Sequence, residues 1–290
     1  MSARSAPADL QQHPAPRRIT RRALAGAAAA GATLLWGRAP ARAAARWWSS
    51  LVFGVLENRA YSTVETLPSH VRLAREGAVL SNYDAIGHPS GPNYRAMISG
   101  EAWGTGEIVD TFHPSVASAA AALVPPVPTY VYHLAGTIAA RHNPFVDLHA
   151  PLAAQRRGFD VFRRDLAGGL PPAALVYVGW DDDNDLHNGN FSLADRNVTS
   201  LLDALAASPW FATPDGSGRY PALFLTYDEN DGRPGNRVFA AWWGRGVSRG
   251  IASTRHHTHY GFCRTMTDNL GLDPLGRGAD EPPIDEVWIR

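Results

Sequence analysis

The chain has 290 residues, 45% hydrophobic and 19% charged, with 27 basic and 27 acidic side chains. This is the composition of a globular protein with room for one large domain and its own core, and it excludes a disordered or fibrous chain. Every basic residue is arginine, and the single cysteine, Cys263, excludes an intrachain disulfide.

In chain order, the first element reads as a leader. Arg21-Arg22 precede the apolar stretch ALAGAAAAGATLLWG and an A-x-A sequence ending at Ala43. Residues 1–43 are predicted to be a twin-arginine export signal, with 44–290 a single catalytic domain in the periplasm or outside the cell. A helix packed on that domain is the structural alternative. Residues 44–290 carry 20 basic and 26 acidic groups, which argues against a nucleic-acid partner. No later apolar run approaches the roughly 18 residues that cross a bilayer, so no stable membrane insertion is expected.

Strand-length apolar runs follow at 50–56, 128–134, 173–179, 222–227 and 237–243. They are almost continuously apolar, as strands buried on both faces are. Helical spacing lies between them at 153–168, 194–207 and 260–270. In the last of these, Phe262, Cys263, Met266 and Leu270 share a face, which makes Cys263 a small core residue. Trp242 and Trp243 are likewise expected in the core. Alternating strands and helices predict an α/β domain around a mostly parallel sheet, with no linker.

In such sheets ligands sit beyond the carboxyl ends of the strands. Glu57-Asn58 follow the first run, and Asp228-Glu229-Asn230-Asp231 follow the fourth. If those strands are close, their oxygen donors meet at one rim and repel unless a cation is present. Solvated turns are the plain alternative.

The stretch HPSGPNYRAMISG, 88–100, begins a third element. Pro92 suits the first turn of a helix, which puts Ser90 or Gly91 at the cap position and the helix start at Asn93 to Ile98. Ser90 is then either a helix cap or a nucleophile. A serine beside free amides at the positive end of a helix dipole, facing a carboxylate-held metal, is placed to attack phosphorus.

The segments VFGVLENRAYSTV, SNYDAIGHPSGPNYRAMISG, ARHNPFVDL, NDLHNGN, LFLTYDENDG and THYGFCRTMTDNLGLDPLG share one order and spacing. In this the chain resembles the phosphoesterase family of bacterial acid phosphatases and phosphatidylcholine-type phospholipases C, itself similar in fold to alkaline phosphatases. The resemblance implies an α/β three-layer sandwich with a mostly parallel central sheet, and Ser90 as a nucleophile that becomes a phosphoserine. It also implies that Glu57, Asn58, Asp228 and Glu229 hold one divalent cation. Asp185, His187 and His259 would orient substrate or protonate the leaving group. Asn93 and His142 are further substrate-binding candidates, with buried structural polar groups as the alternative. The implied substrate is a small phosphate ester, with a phospholipid head group as the alternative. Three positions depart from the pattern: Asn188 stands where many members have Asp, Gly91 where a bulkier residue is usual, and Gly261 where serine is usual.

Rival motifs are weaker. GVSRG at 246–250 fits the esterase G-x-S-x-G pattern, but no acid lies between Ser248 and the last histidine, His259. The acidic string at 181–190 lacks the glycine and glutamate of a calcium loop. RHHTH at 255–259 has no partner spaced as in a known metal site. An exported phosphate-binding protein without turnover is the alternative from another class.

Overall fold

The computed structural model describes residues 45–289; the predicted export signal, 1–43, lies outside the described residues. Its strands are β1 (Leu51–Leu56), β2 (Ala78–Leu80), β3 (Tyr83–Asp84), β4 (Thr129–Ala135), β5 (Ala154–Arg157), β6 (Leu175–Trp180), β7 (Ala222–Tyr227), β8 (Ala240–Trp243), β9 (Ile251–Ser253) and β10 (His257–Thr258). Eight of them form one sheet in the order β5-β4-β6-β1-β7-β8-β2-β9, and β3 pairs with β10 in a small second sheet. Only β8 runs against the rest of the large sheet. The predicted mostly parallel sheet is borne out, and β1, β6 and β7 are buried along their whole length.

Each strand alternates its side chains between the two faces of the sheet. On one face Phe224 stacks on Phe262 of the helix His259–Leu270, ring centroids 4.1 Å apart. Three residues on, Tyr227 points to the other face and hydrogen-bonds through its hydroxyl to His70 Nε2 at 3.0 Å, in the helix Pro68–Glu76. Helices thus cover both faces: Pro68–Glu76 packs with Phe191–Ala206, and Ser90–Ser99 with His259–Leu270. Trp242 and Cys263 are fully buried and Trp243 nearly so, as their sequence contexts predict.

Three expectations need correction. The helix predicted over 153–168 is strand β5 followed by a helix at Phe159–Leu166. The tetrapeptide AQRR has no apolar run to mark it; it is an edge strand with alternating burial, and pairing with β4 makes it one. The run at 237–243 is strand only from Ala240. Ser90 is the first helical residue, and Pro89 holds the cap position without a side-chain capping bond. Among the described residues no helix is long and apolar enough to cross a membrane.

His70 carries a pH cost built into the fold. Burial pushes its imidazole from the ordinary 6.5 down to about 4. The unfolded chain therefore binds a proton below about pH 6.5 that the folded chain refuses until about pH 4, so stability falls with pH over that window, by about 3 kcal/mol for this group. His70→Gln, which keeps a polar partner for Tyr227, is expected to flatten the fall in urea midpoint between pH 7 and pH 4. An unchanged pH slope would remove His70 as its source.

Candidate functional site

The order β4-β6-β1-β7 puts the carboxyl ends of four adjacent parallel strands on one rim. From that rim emerge the loop bearing His142, the segment Asp181–His187, the pair Glu57-Asn58 and the pair Asp228-Glu229. The strands β1 and β7 pair through Leu56 and Tyr227, so the two acidic pairs leave the sheet side by side. Backbone bonds extend the stitching: Glu57 N–H donates to the Asp185 carbonyl at 2.9 Å, and Asp228 N–H to the Leu56 carbonyl at 3.0 Å. Asn58 N–H then donates to Asp228 Oδ1 at 2.9 Å.

Glu57 is the hub and is fully buried. Its Oε1 accepts the Tyr94 hydroxyl at 2.5 Å. Its Oε2 accepts the Ser90 hydroxyl at 3.2 Å and the Asn58 side-chain amide at 3.2 Å. His187 Nδ1 and His142 Nε2 each lie 3.3 Å from the same oxygen. Ser90 thus faces a carboxylate from the first turn of a helix, where the backbone presents its positive end. It makes no capping bond, so its hydroxyl is committed to the site.

The carboxylates strain against one another. Burial raises Glu57, with the charge of Asp185 adding to it. Burial and then the charge of Glu57 push Asp228 well up, and burial and then Asp228 bring Glu229 to about 8. Asp228 Oδ2 is buried without a hydrogen-bond partner. The donor chemistry of Glu57, Asn58, Asp228 and Glu229, all oxygens with one left uncommitted, is of the kind a hard divalent cation takes. Among the described residues two clusters have ligand spacing, Glu57, His142 and His187, and His142, Asp182 and Asp185, and neither includes Asp228 or Glu229.

The other expected residues fall on or behind this rim. Asn93 donates to Glu229 Oε2 at 3.2 Å and ties down the loop before Ser90 by accepting from Ile86 N–H at 2.9 Å. Asp185 Oδ1 accepts His187 N–H at 2.9 Å. His259 lies beneath the rim, fully buried, with Nε2 2.7 Å from the Asp228 carbonyl and Nδ1 3.0 Å from the Tyr83 hydroxyl. A carbonyl only accepts, so Nε2 carries the proton, and burial holds the ring neutral with its pKa down to about 4. The three histidines of RHHTH go to three places: His256 to Asp84, His257 to Glu286 and His259 to Asp228. Ser248 is followed by strand β9, with no helix to form an esterase elbow.

Several residues escape sequence reasoning. His88 pairs with Glu229 through Nδ1 at 2.9 Å. Arg59 donates to the carbonyls of Asn58 at 2.6 Å and Leu186 at 2.9 Å. Both those residues have left-handed backbones, φ 53° and 83°, and the guanidinium holds them there. Both His88 and Arg59 lie within the quoted segments, but only the fold shows what they touch. Arg95 and Asp147 form a fully buried ion pair at 2.8 Å. Arg95 also donates to the carbonyls of Ala102, Gly106 and Glu107, and Asp147 accepts from Val109 and Asp110 N–H. The pair thereby pins the loop 101–111 beside Ser90. Gly91 is explained by the same loop: a Cβ there would collide with the Glu107 carbonyl, while Gly91 N–H donates to Glu107 Oε2 at 2.9 Å.

With this geometry in place, the comparisons with known proteins agree on a class. No family model matches the chain. A phosphatidylinositol-3-phosphatase of Mycobacterium tuberculosis is 29% identical over 259 residues, 83% of each chain. A phosphate-repressible acid phosphatase of Penicillium chrysogenum is 29% identical and an acid phosphatase of Aspergillus fumigatus 26%, each over 77% of this chain. The chain spans only 59% and 55% of those two fungal proteins. Among solved structures, an alkaline phosphatase superfamily protein from Vibrio parahaemolyticus superposes with a TM-score of 0.62 at 13% identity, covering 83% of this chain and 72% of the other. The lipoteichoic acid synthase LtaP from Listeria monocytogenes does so with 0.54 at 10% identity, covering 78% and 72%. The fold is that of the alkaline phosphatase superfamily, and the class is a phosphoesterase, a hydrolase of phosphoric esters.

Asp147→Ala would strand a buried guanidinium. It is expected to cost about 3–5 kcal/mol by urea denaturation, and to release the loop 101–111 to proteolysis before the sheet unfolds. A loss under 1 kcal/mol would mean the pair does not hold the loop.

Proposed function

We propose that the chain is an exported, metal-dependent hydrolase of acid-phosphatase type, with 44–290 as its one catalytic domain and Ser90 as its nucleophile. One observation carries the reading: the Ser90 hydroxyl lies 3.2 Å from the buried Glu57 carboxylate at the first residue of a helix. The serine has an acceptor for its proton, and the helix end favours the negative charge of the substrate. Glu57, Asn58, Asp228 and Glu229 would hold one divalent cation. When bound, it supplies charge stabilisation on the phosphoryl oxygens and eases loss of the serine proton.

Ser90 Oγ attacks phosphorus as its proton passes toward Glu57, and the bond to the leaving alcohol breaks. His187 is the group to protonate that alcohol. It is partly exposed, and its bond to Glu57 raises its pKa, which keeps it protonated nearer neutrality. Asp185 fixes the His187 backbone. Asn93 orients Glu229, and His259 positions Asp228 through its carbonyl without meeting substrate. Water then hydrolyses the phosphoserine and restores the Ser90 hydroxyl.

The phosphatase names of the relatives support a phosphate monoester over a diester. The twin-arginine sequence supports export.

Ser90→Ala should lower kcat at least about 10³-fold while leaving cation content unchanged; near-normal turnover would sink the mechanism. His187→Ala should cost about 10²–10⁴-fold with alkyl phosphates and much less with aryl phosphates, whose leaving groups need no proton. Equal losses on both would exclude it as the acid. The assay compares an aryl monoester, an aryl diester and phosphatidylcholine, with and without chelator. Dominant release of phosphocholine would move the reading to phospholipase C, and phosphate binding without turnover of any ester would make it a binding protein.

A further inference from the structure

We infer that a cavity beside the rim binds a second anionic group of the substrate, a phosphoryl or a carboxylate, through Arg233 and Arg237. The inference rests on the phosphoric-ester hydrolase reading and deepens it by naming a substrate class: small phosphate esters that carry a further negative charge. The cavity, about 330 Å³, lies among Tyr61, Ser62, Asn230, Arg233 and Arg237. These residues leave the carboxyl ends of β1 and β7, the strands that deliver Glu57 and Asp228. Four other cavities open at the opposite end of the sheet, against residues such as Trp47, Pro172, Arg219 and Gly244 that precede β1, β6 and β7 or follow the antiparallel β8. A group bound there is separated from Ser90 by the length of the sheet.

Both arginines are held in place by neighbours. The Arg237 guanidinium lies over the Tyr61 ring, 5.2 Å from its centroid, and among the described residues no carboxylate pairs with it. Tyr61 in turn packs on the buried Phe239 at 5.8 Å, and its N–H donates to the Arg237 carbonyl at 3.0 Å. Arg233 reaches the exit of β1: Nη1 donates to Ser62 Oγ at 3.2 Å, while Nε pairs with Asp231 at 3.1 Å. No acidic side chain lines the cavity itself. Guanidinium groups present paired N–H donors that match the oxygens of a phosphoryl or carboxylate group.

The cavity is also tied to the loop before Ser90. Asn236 accepts Asn230 N–H at 2.8 Å and donates to the Gly87 carbonyl at 2.9 Å, a carbonyl that Asn93 also holds. Ala60, at the cavity wall, is three residues beyond Glu57, so at most about 11 Å separates their Cα atoms. Glu57 itself meets the Ser90 hydroxyl. The interval suits one small molecule whose scissile phosphoryl and second anion are joined by a short linker. An ester with a neutral alcohol would leave both guanidiniums to water.

The test compares wild type, Arg233→Gln and Arg237→Gln on three esters that share a six-carbon chain: hexyl phosphate, hexane-1,6-diol bisphosphate and 6-phosphooxyhexanoate. Both arginines are exposed, so the variants should fold. Calorimetric binding of hexylphosphonate and hexane-1,6-bisphosphonate adds a readout that needs no turnover. Wild type is expected to favour the doubly anionic ligands about 10-fold or more, in kcat/KM per phosphoryl group and in affinity. Each variant should lose most of that preference, while hydrolysis of hexyl phosphate, which has nothing to place in the cavity, changes less than twofold. A preference for the bisphosphate alone would assign the second group as phosphoryl, and one shared by the carboxylate ester would admit either anion. Equal values for singly and doubly anionic ligands in wild type, or a preference that survives in both variants, would overturn the inference. No turnover of any ester with the bisphosphonate preference intact would instead count against the hydrolase reading and leave the anion site standing.

Discussion

Glu57 sits at the end of a fully buried central strand, and five side chains turn toward its two oxygens. A carboxylate removed from water is unfavourable unless it is paired and hydrogen-bonded. Tyr94 and Ser90 from one helix, Asn58 from the strand's own exit, and His142 and His187 from two neighbouring loops answer that need. The same bonds draw together segments far apart in the chain, so the arrangement of the rim follows from solvating one buried charge.

The rim gathers more acidic groups than the protein alone can ionise together. Glu57, Asp185, Asp228 and Glu229 all have their carboxyls raised, with burial the leading cause of each. Against them stand histidines and amides, while the fully buried guanidinium of Arg95 is spent on Asp147. Binding a cation would let the carboxylates ionise together, which ties site formation to cation binding. His259 and Arg59 serve the rim from behind by holding backbone: one grips the Asp228 carbonyl, the other the carbonyls of two left-handed residues.

Access to Ser90 is shaped by the loop 101–111 and the residues just after it. Arg95 sits on the same helix as Ser90 and gathers three of the loop's carbonyls, so Ser90 and the loop share one rigid support. Gly91 is the residue that lets the loop come so close. The segment still turns Ile108 and Phe112 to solvent.

The sequence by itself determined the sheet's central strands, because runs such as LVFGVL and ALFLTY are apolar on both faces and only a covered parallel sheet buries them so. It also located the rim, since Glu57 and Asp228 directly follow those runs. Local pattern could not mark β5, an edge strand of polar residues that only its pairing with β4 defines. It could not show Ser90 one position inside its helix, because the tertiary bond to Glu57 took the hydroxyl from capping. Nor could it place His259 behind the rim and His142 among three carboxylates. Those positions depend on which loops meet across the sheet, and strand order decides that through contacts between residues more than 30 apart, which no local periodicity records.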